Sequence, residues 1–127
     1  MAKRESINLP GMAHGAPIPM GSKIGNVVYS SGIAGRDQEK NVMPSDPAEQ
    51  AVCMFKNIKQ FMEIAGGSPD DIIHVRLLMK DPDLRKYIDP EWQKMFPDEH
   101  SRPARHALTT DVRQGFFQAE IVAILPS

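Results

Sequence analysis

Two short stretches near the C-terminus, residues 104–109 and 117–124, most constrain the fold of this chain. In both, side chains alternate with a period of two, the pattern that sends successive residues to opposite faces of a β-sheet. Each stretch carries one charged side chain among small or apolar neighbours. In the first it is the guanidinium of Arg105, and in the second it is the carboxylate of Glu120. Such a charge is unfavourable in a core strand unless it is paired or binds a ligand. The pattern alone therefore leaves two alternatives open, a structural Arg–Glu ion pair across the sheet or a functional site.

The preceding sequence predicts a hairpin, a helix, a strand and a second helical region. Gly25-Asn26 is a tight-turn pair because both residues tolerate positive φ. A capping side chain and a proline in residues 45–47 predict the start of the first helix, and Gly66-Gly67 predicts its end. The second helical region covers residues 81–96, within which Asp89-Pro90 has the pattern of a helix cap.

The segment between the two helices, residues 73–80, alternates in hydrophobicity and predicts a half-buried strand. Ile73 is expected to point inward and Arg76 outward. Near the N-terminus, residues 6–9 predict a short edge strand, and residues 10–21 have the glycine and proline content of a loop.

These elements predict an α+β two-layer architecture, with two helices on one face of an antiparallel or mixed sheet. The length suits one domain over residues 1–127, of which residues 1–20 form an N-terminal strand and loop.

Composition narrows the class of function. The formal net charge of −1 offers no basic field for nucleic acid. A single cysteine, Cys53, excludes an internal disulfide and favours a reducing compartment, so a cytoplasmic location is expected. No apolar run approaches the ~20 residues needed to span a bilayer, and no membrane partner is expected. The four histidines lack metal-ligand spacing, and His14 lies in a loop where most histidines are solvated.

Pro103-Ala104-Arg105 followed by Ala119-Glu120-Ile121 resembles the signature of the RidA/YjgF/YER057c family of imine and enamine deaminases. Three further segments resemble that family in order and spacing: residues 24–32, 50–67 and 70–81. The resemblance covers nearly the whole chain. It implies a chorismate-mutase-like fold and a homotrimer with clefts between neighbouring subunits.

The resemblance also implies a chemistry. Arg105 would hold the carboxylate of a small imine or enamine, since its planar fork of donors matches a carboxylate. Glu120 would position water against the C=N carbon and pass a proton to the leaving nitrogen. The main chain at Ala107 would contact the substrate, and no cofactor is implied. The expected reaction converts an unsaturated 2-amino acid, or its imine, to a 2-keto acid and ammonia.

Other substrate-binding candidates surround these residues: Ser30, Gly32, His106, Asp89, Ile18 and Arg102. Three of them depart from residues common in relatives, with Ile18 for tyrosine, Asp89 for asparagine and His106 for serine. Arg102 or His106 meeting a second carboxylate would favour a dicarboxylate enamine of the 2-aminomuconate type. A third alternative is a non-enzymatic trimeric module that binds small carboxylates as a sensor.

Overall fold

A computed structural model describes residues 3–9 and 17–126. In this part of the chain two α-helices, α1 (Pro47–Ala65) and α2 (Arg85–Met95), cover one face of a seven-stranded sheet. The strands in chain order are β1 Glu5–Ile7, β2 Gly21–Ile24, β3 Val27–Ser30, β4 Ile33–Ala34, β5 Ile72–Met79, β6 Ala104–Thr109 and β7 Phe117–Ile124. The predicted α+β architecture with two helices on one face of the sheet is confirmed.

The order of strands places β5 and β7 in the middle of the sheet. The order is β1-β2-β3-β7-β5-β6, with β4 continuing along the edge of β7 that β3 also borders. The pairing of β5 with β6 is parallel, and every other strand pair is antiparallel. A parallel pair needs a crossover, and α2 provides it. Strand β6 therefore ends one edge of the sheet.

Helix α1 begins and ends where the sequence predicts. The Asp46 side chain accepts a hydrogen bond from the Ala48 amide at 3.2 Å, and Pro47 occupies the first helical position. Gly66 ends the helix in the left-handed conformation at φ 106°, which its missing side chain permits. The apolar face of α1 fills the centre of the core between the helices and the sheet.

The prediction that Asp89-Pro90 caps a helix is wrong, because α2 already begins at Arg85. The cap lies earlier, where the Asp81 side chain accepts from the Asp83 amide at 2.8 Å at the start of a short 3-10 segment. Pro90 lies inside α2 and removes one helical hydrogen bond. Buried Ile88 and Trp92 hold this turn against the core, so packing maintains the helix through the proline.

Strand β5 has one buried and one exposed face, but its first residues depart from the predicted alternation. A register shift between Ile72 and His74 turns Ile72 into the core and leaves Ile73 52% exposed, so the inward position predicted for Ile73 is wrong. Beyond the shift, Val75 is buried and Arg76 is exposed, as predicted.

The sheet face opposite the helices, called the open face below, carries a set of exposed apolar side chains. They come from β2, β3, β6 and β7: Ile24, Val27, Tyr29, Leu108 and Ile124. Ile24, Val27 and Ile124 are neighbours in the strand register, with Tyr29 two residues further along β3, whereas Leu108 lies apart on β6. An exposed apolar patch of this kind is characteristic of a protein contact.

Asn57 on α1 holds the end of β4 and the loop that follows it by two hydrogen bonds, whose contribution to stability can be tested. Its side chain is buried, and Nδ2 donates to the carbonyls of Ala34 and Arg36, both at 2.9 Å. We expect Asn57→Ala to lower the free energy of unfolding by about 2–4 kcal/mol, because both carbonyls lose their donor. Urea unfolding measures the loss, and Lys56→Ala at the exposed neighbouring position is the control. Equal stability of the two variants would contradict the assignment.

Candidate active site

Arg105 lies on edge strand β6 and points to the helical side of the sheet. Its Nη2 atom is 2.9 Å from Oδ1 of Asp89 on α2, and its guanidinium carbon is 4.9 Å from the centre of the Trp92 ring. The side chain is 18% exposed. An ion pair on one side and an aromatic face on the other fix the guanidinium, as in other cation–π contacts.

Asp89 is the charge partner of Arg105, although the contact is not an aligned hydrogen bond. Oδ1 is buried and accepts no hydrogen bond from the residues that the structure describes. At 2.9 Å from Nη2, Oδ1 is held to Arg105 by an ion pair rather than by an aligned hydrogen bond. The Asp89 side chain as a whole remains 42% exposed.

Ala107 shares the face of Arg105, two residues further along β6. It is partly buried against the core, and it pairs with Leu77 in the parallel ladder. The structure therefore brings three predicted site residues together, Arg105, Asp89 and Ala107, with Trp92 beside them. These four residues are called the arginine cluster below.

Glu120 lies on the open face, away from the arginine cluster. Its Oε2 is 3.9 Å from Nη1 of Arg76, and both side chains are partly exposed. In the sheet register Arg105 pairs with Val75, whereas Glu120 pairs with Arg76, the next residue of β5. Adjacent residues of a strand point to opposite faces, so an Arg105–Glu120 ion pair within one chain is ruled out.

His106 and Arg76 lie in one row with Glu120 across three strands of the open face. Arg76 pairs with His106 on one side and with Glu120 on the other. The pattern of the sequence placed Arg76 on the outward face, but only the strand register reveals that it neighbours Glu120.

A bulge between β3 and β4 lies opposite Glu120. Tyr29 pairs with Val122 and Ile33 pairs with Ala119, so three residues, 30–32, face only two on β7. Bulges of this kind redirect side chains and are frequent next to active sites.

Ser30 and Gly32 are part of this bulge. Ser30 Oγ accepts a hydrogen bond from the Ile121 amide at 2.8 Å, which satisfies a donor that the interrupted ladder leaves free. A side chain at Gly32 would overlap the Gln118 side chain. The two residues therefore border Glu120 in the sheet, and they form the glutamate cluster with Glu120, Arg76 and His106.

Ile18 approaches the same bulge from the N-terminal side. Its side chain is exposed, and the carbonyl of the following residue, Pro19, accepts from Ser31 Oγ at 2.8 Å. Arg102 lies elsewhere, at the C-terminal end of α2, where its Nε donates to the Phe96 carbonyl at 2.8 Å. Contact of Arg102 with a second substrate carboxylate stays a prediction.

Three surface cavities of about 460, 390 and 240 Å³ lie outside both clusters, since neither Arg105 nor Glu120 lines any of them. Cys53 lines the cavity of about 390 Å³ together with Asp37. Burial raises the pKa of the Cys53 thiol, and the Asp37 carboxylate raises it further. A protonated thiol is a poor nucleophile, which argues against a nucleophilic role for Cys53.

Residues 3–9 and 17–126 contain no group of three or more potential metal ligands and no helix long and apolar enough to cross a membrane. His14 falls outside the described residues.

The sequence of the chain was compared with protein families and with individual known proteins. Residues 17–125 match the family model described as Endoribonuclease L-PSP. The chain is 32% identical over 94 residues to the 3-aminoacrylate deaminase RutC of Acinetobacter baylyi, covering 73% of each protein.

Two solved structures share the fold. The crystal structure of RidA from an Antarctic Psychrobacter superposes with a TM-score of 0.85 at 25% identity, covering 95% of this chain and 99% of that one. The YjgF gene product of E. coli superposes with a TM-score of 0.83 at 22% identity, covering 94% and 98%. The chain therefore belongs to the RidA/YjgF family, to which the sequence motifs around Arg105 and Glu120 had pointed.

Proposed function

We propose that this protein is an imine/enamine deaminase that hydrolyses a small unsaturated 2-amino acid, or its imine tautomer, to a 2-keto acid and ammonia. The observation that carries the proposal is the setting of Arg105, whose guanidinium is fixed by Asp89 and Trp92 on an open sheet edge. A fixed guanidinium retains donors for a substrate carboxylate. The relative from Acinetobacter baylyi, named a 3-aminoacrylate deaminase, supports the same class of reaction.

In the proposed reaction, Arg105 binds the carboxylate and orients the C=N bond. Glu120 takes a proton from water as the water oxygen attacks the imine carbon, giving a carbinolamine. The proton then passes to the nitrogen, the C–N bond breaks, and the carbonyl forms as ammonia leaves. An imine and one water thus give one ketone and one ammonia, with no net change in oxidation state and no cofactor.

The positions of the two residues support a site shared between chains. Strand β5 separates β7 from β6, so Arg105 and Glu120 lie about 10 Å apart across the sheet, since neighbouring strands are spaced by ~4.8 Å. They also lie on opposite faces. We therefore propose that Arg105 of one chain acts with Glu120 of another in a homotrimer. The exposed apolar open face supports such an assembly.

The family model's description, Endoribonuclease L-PSP, names a different activity. With a formal net charge of −1, the chain has no overall positive charge that would attract an RNA backbone. We therefore assign the imine reaction and no nucleic-acid partner. The single cysteine supports the proposal of a cytoplasmic location.

Substitutions at the two charged residues test the reaction. With 2-iminopropionate generated in situ, we expect Arg105→Ala to lower kcat/KM by ~10²-fold or more, because carboxylate binding in the transition state is lost. Glu120→Gln keeps the shape of the side chain but cannot accept a proton, so kcat should fall by ~10²-fold or more with KM little changed.

The matched controls are Arg113→Ala and Glu63→Gln, which remove the same charges from exposed positions outside both clusters. Both should retain wild-type turnover. Full activity of Arg105→Ala would refute the proposed reaction. Binding of carboxylates by the wild type without turnover of any imine would instead indicate the sensor module.

A mixing experiment tests the shared site. Arg105→Ala and Glu120→Gln chains, each inactive alone, are unfolded together in equal amounts and refolded. Random trimers with Arg105 and Glu120 supplied by neighbouring chains should regain about a quarter of wild-type activity per chain. Light scattering on the same sample measures whether the mass is that of a trimer. An inactive mixture with a confirmed trimer mass would contradict a site shared between chains.

A further inference from the structure

Arg105 does not present a free positive charge to an incoming carboxylate. Asp89 lies 2.9 Å away, so the pair has a net charge close to zero. Trp92 covers the guanidinium and limits the water that could screen the two groups. Arg105 is thus already partly neutralised before any ligand binds.

A ligand carboxylate bound to Arg105 would lie beside the Asp89 carboxylate. Two carboxylates within a few ångströms disfavour each other's ionised form. A plain carboxylate anion would therefore bind with a penalty from Asp89. A ligand that carries a positive charge next to its carboxylate avoids that penalty, since the positive group offsets Asp89.

The geometry of the Oδ1 atom of Asp89 adds to this argument. It is buried, and it accepts no hydrogen bond from the described residues despite its short distance to Arg105. The ion pair with Arg105 leaves this buried acceptor without an aligned hydrogen bond, so a further donor would stabilise it. An N–H group of a bound ligand would supply the missing donor after a small movement of the side chain, because the rest of Asp89 reaches solvent.

Helix α2 holds Asp89 in this position. Ile88 and Trp92, on either side of it in sequence, are both buried, and the Trp92 ring packs edge-on against Phe96 with centroids 4.8 Å apart. Trp92 follows Asp89 by three residues and therefore lies on the same side of the helix. The turn that carries Asp89 is anchored by its neighbours.

We propose that Asp89 is a specificity-determining residue that selects ligands with a protonated nitrogen beside the carboxylate. Within the deaminase reaction proposed above, on which this inference rests, Asp89 favours the iminium form of the substrate. It also disfavours the 2-keto acid product, which has a carboxylate but no N–H group. The two residues then bind one ligand together, Arg105 at the carboxylate and Asp89 at the protonated nitrogen.

L-Alanine and L-lactate provide a matched pair of stable probes, because they differ only in an ammonium group against a hydroxyl. Their dissociation constants are measured by NMR titration with the wild-type protein and with Asp89→Asn, which keeps the shape of the side chain. We expect the wild type to prefer alanine. In Asp89→Asn the ratio Kd(lactate)/Kd(alanine) should fall by ~10-fold or more, as lactate binds more tightly and alanine more weakly.

Glu91→Gln is the control, since it removes a negative charge from the same helix but its ion pair is with Lys94. It should leave the ratio at the wild-type value. Urea unfolding of Asp89→Asn checks that the variant is folded, and a ratio is insensitive to the fraction of folded protein. An unchanged ratio in Asp89→Asn, or no binding of alanine to the wild type, would overturn the proposal.

The probes are not turned over, so this result is separate from that of the imine assay. If the protein hydrolyses the imine but Asp89→Asn leaves Kd(lactate)/Kd(alanine) unchanged, the proposed function stands and the role of Asp89 is refuted. A shifted ratio without hydrolysis would keep the selectivity of Asp89 in a protein that only binds amino-carboxylates.

Discussion

The pairing of β5 with both β6 and β7 is the constraint on which the candidate site depends. β5 lies between the two strands, and its consecutive residues Val75 and Arg76 point to opposite faces. The first aligns with Arg105 and the second with Glu120. A slip of one residue in either pairing would place both charged groups on one face. The buried side chains of β5 and β7 oppose such a slip, because moving by one residue would turn them to the exposed face.

The division of charged residues between two faces gives each cluster its own surroundings. In the arginine cluster the Trp92 ring covers one side of the Arg105 guanidinium, and that side chain is 18% exposed. The glutamate cluster lies on the open face beside a bulge, where Glu120 remains partly exposed. In the proposed reaction these two environments suit different tasks, a fixed group that binds the carboxylate in one and a group that exchanges protons with water in the other.

Much of the fold follows from local signals in the sequence. The Asp46 cap, the left-handed Gly66 and the Gly25-Asn26 turn are where the sequence predicts, because each depends on the conformational preference of a few adjacent residues. The errors occur where packing overrides a local preference. Pro90 is accommodated inside α2 because Ile88 and Trp92 pack this turn against the core. The register shift after Ile72 leaves Ile73 exposed instead of pointing into the core.

The sequence by itself determined the α+β class, the family and the identity of the charged residues, since these depend on periodicity and on motifs within single segments. The tertiary structure alone decided which residues are neighbours. It separated Arg105 from Glu120, joined Arg105 to Asp89 across 16 positions of the chain, and placed Arg76 beside Glu120. Strand order and register bring distant segments together, and no pattern within one segment encodes them.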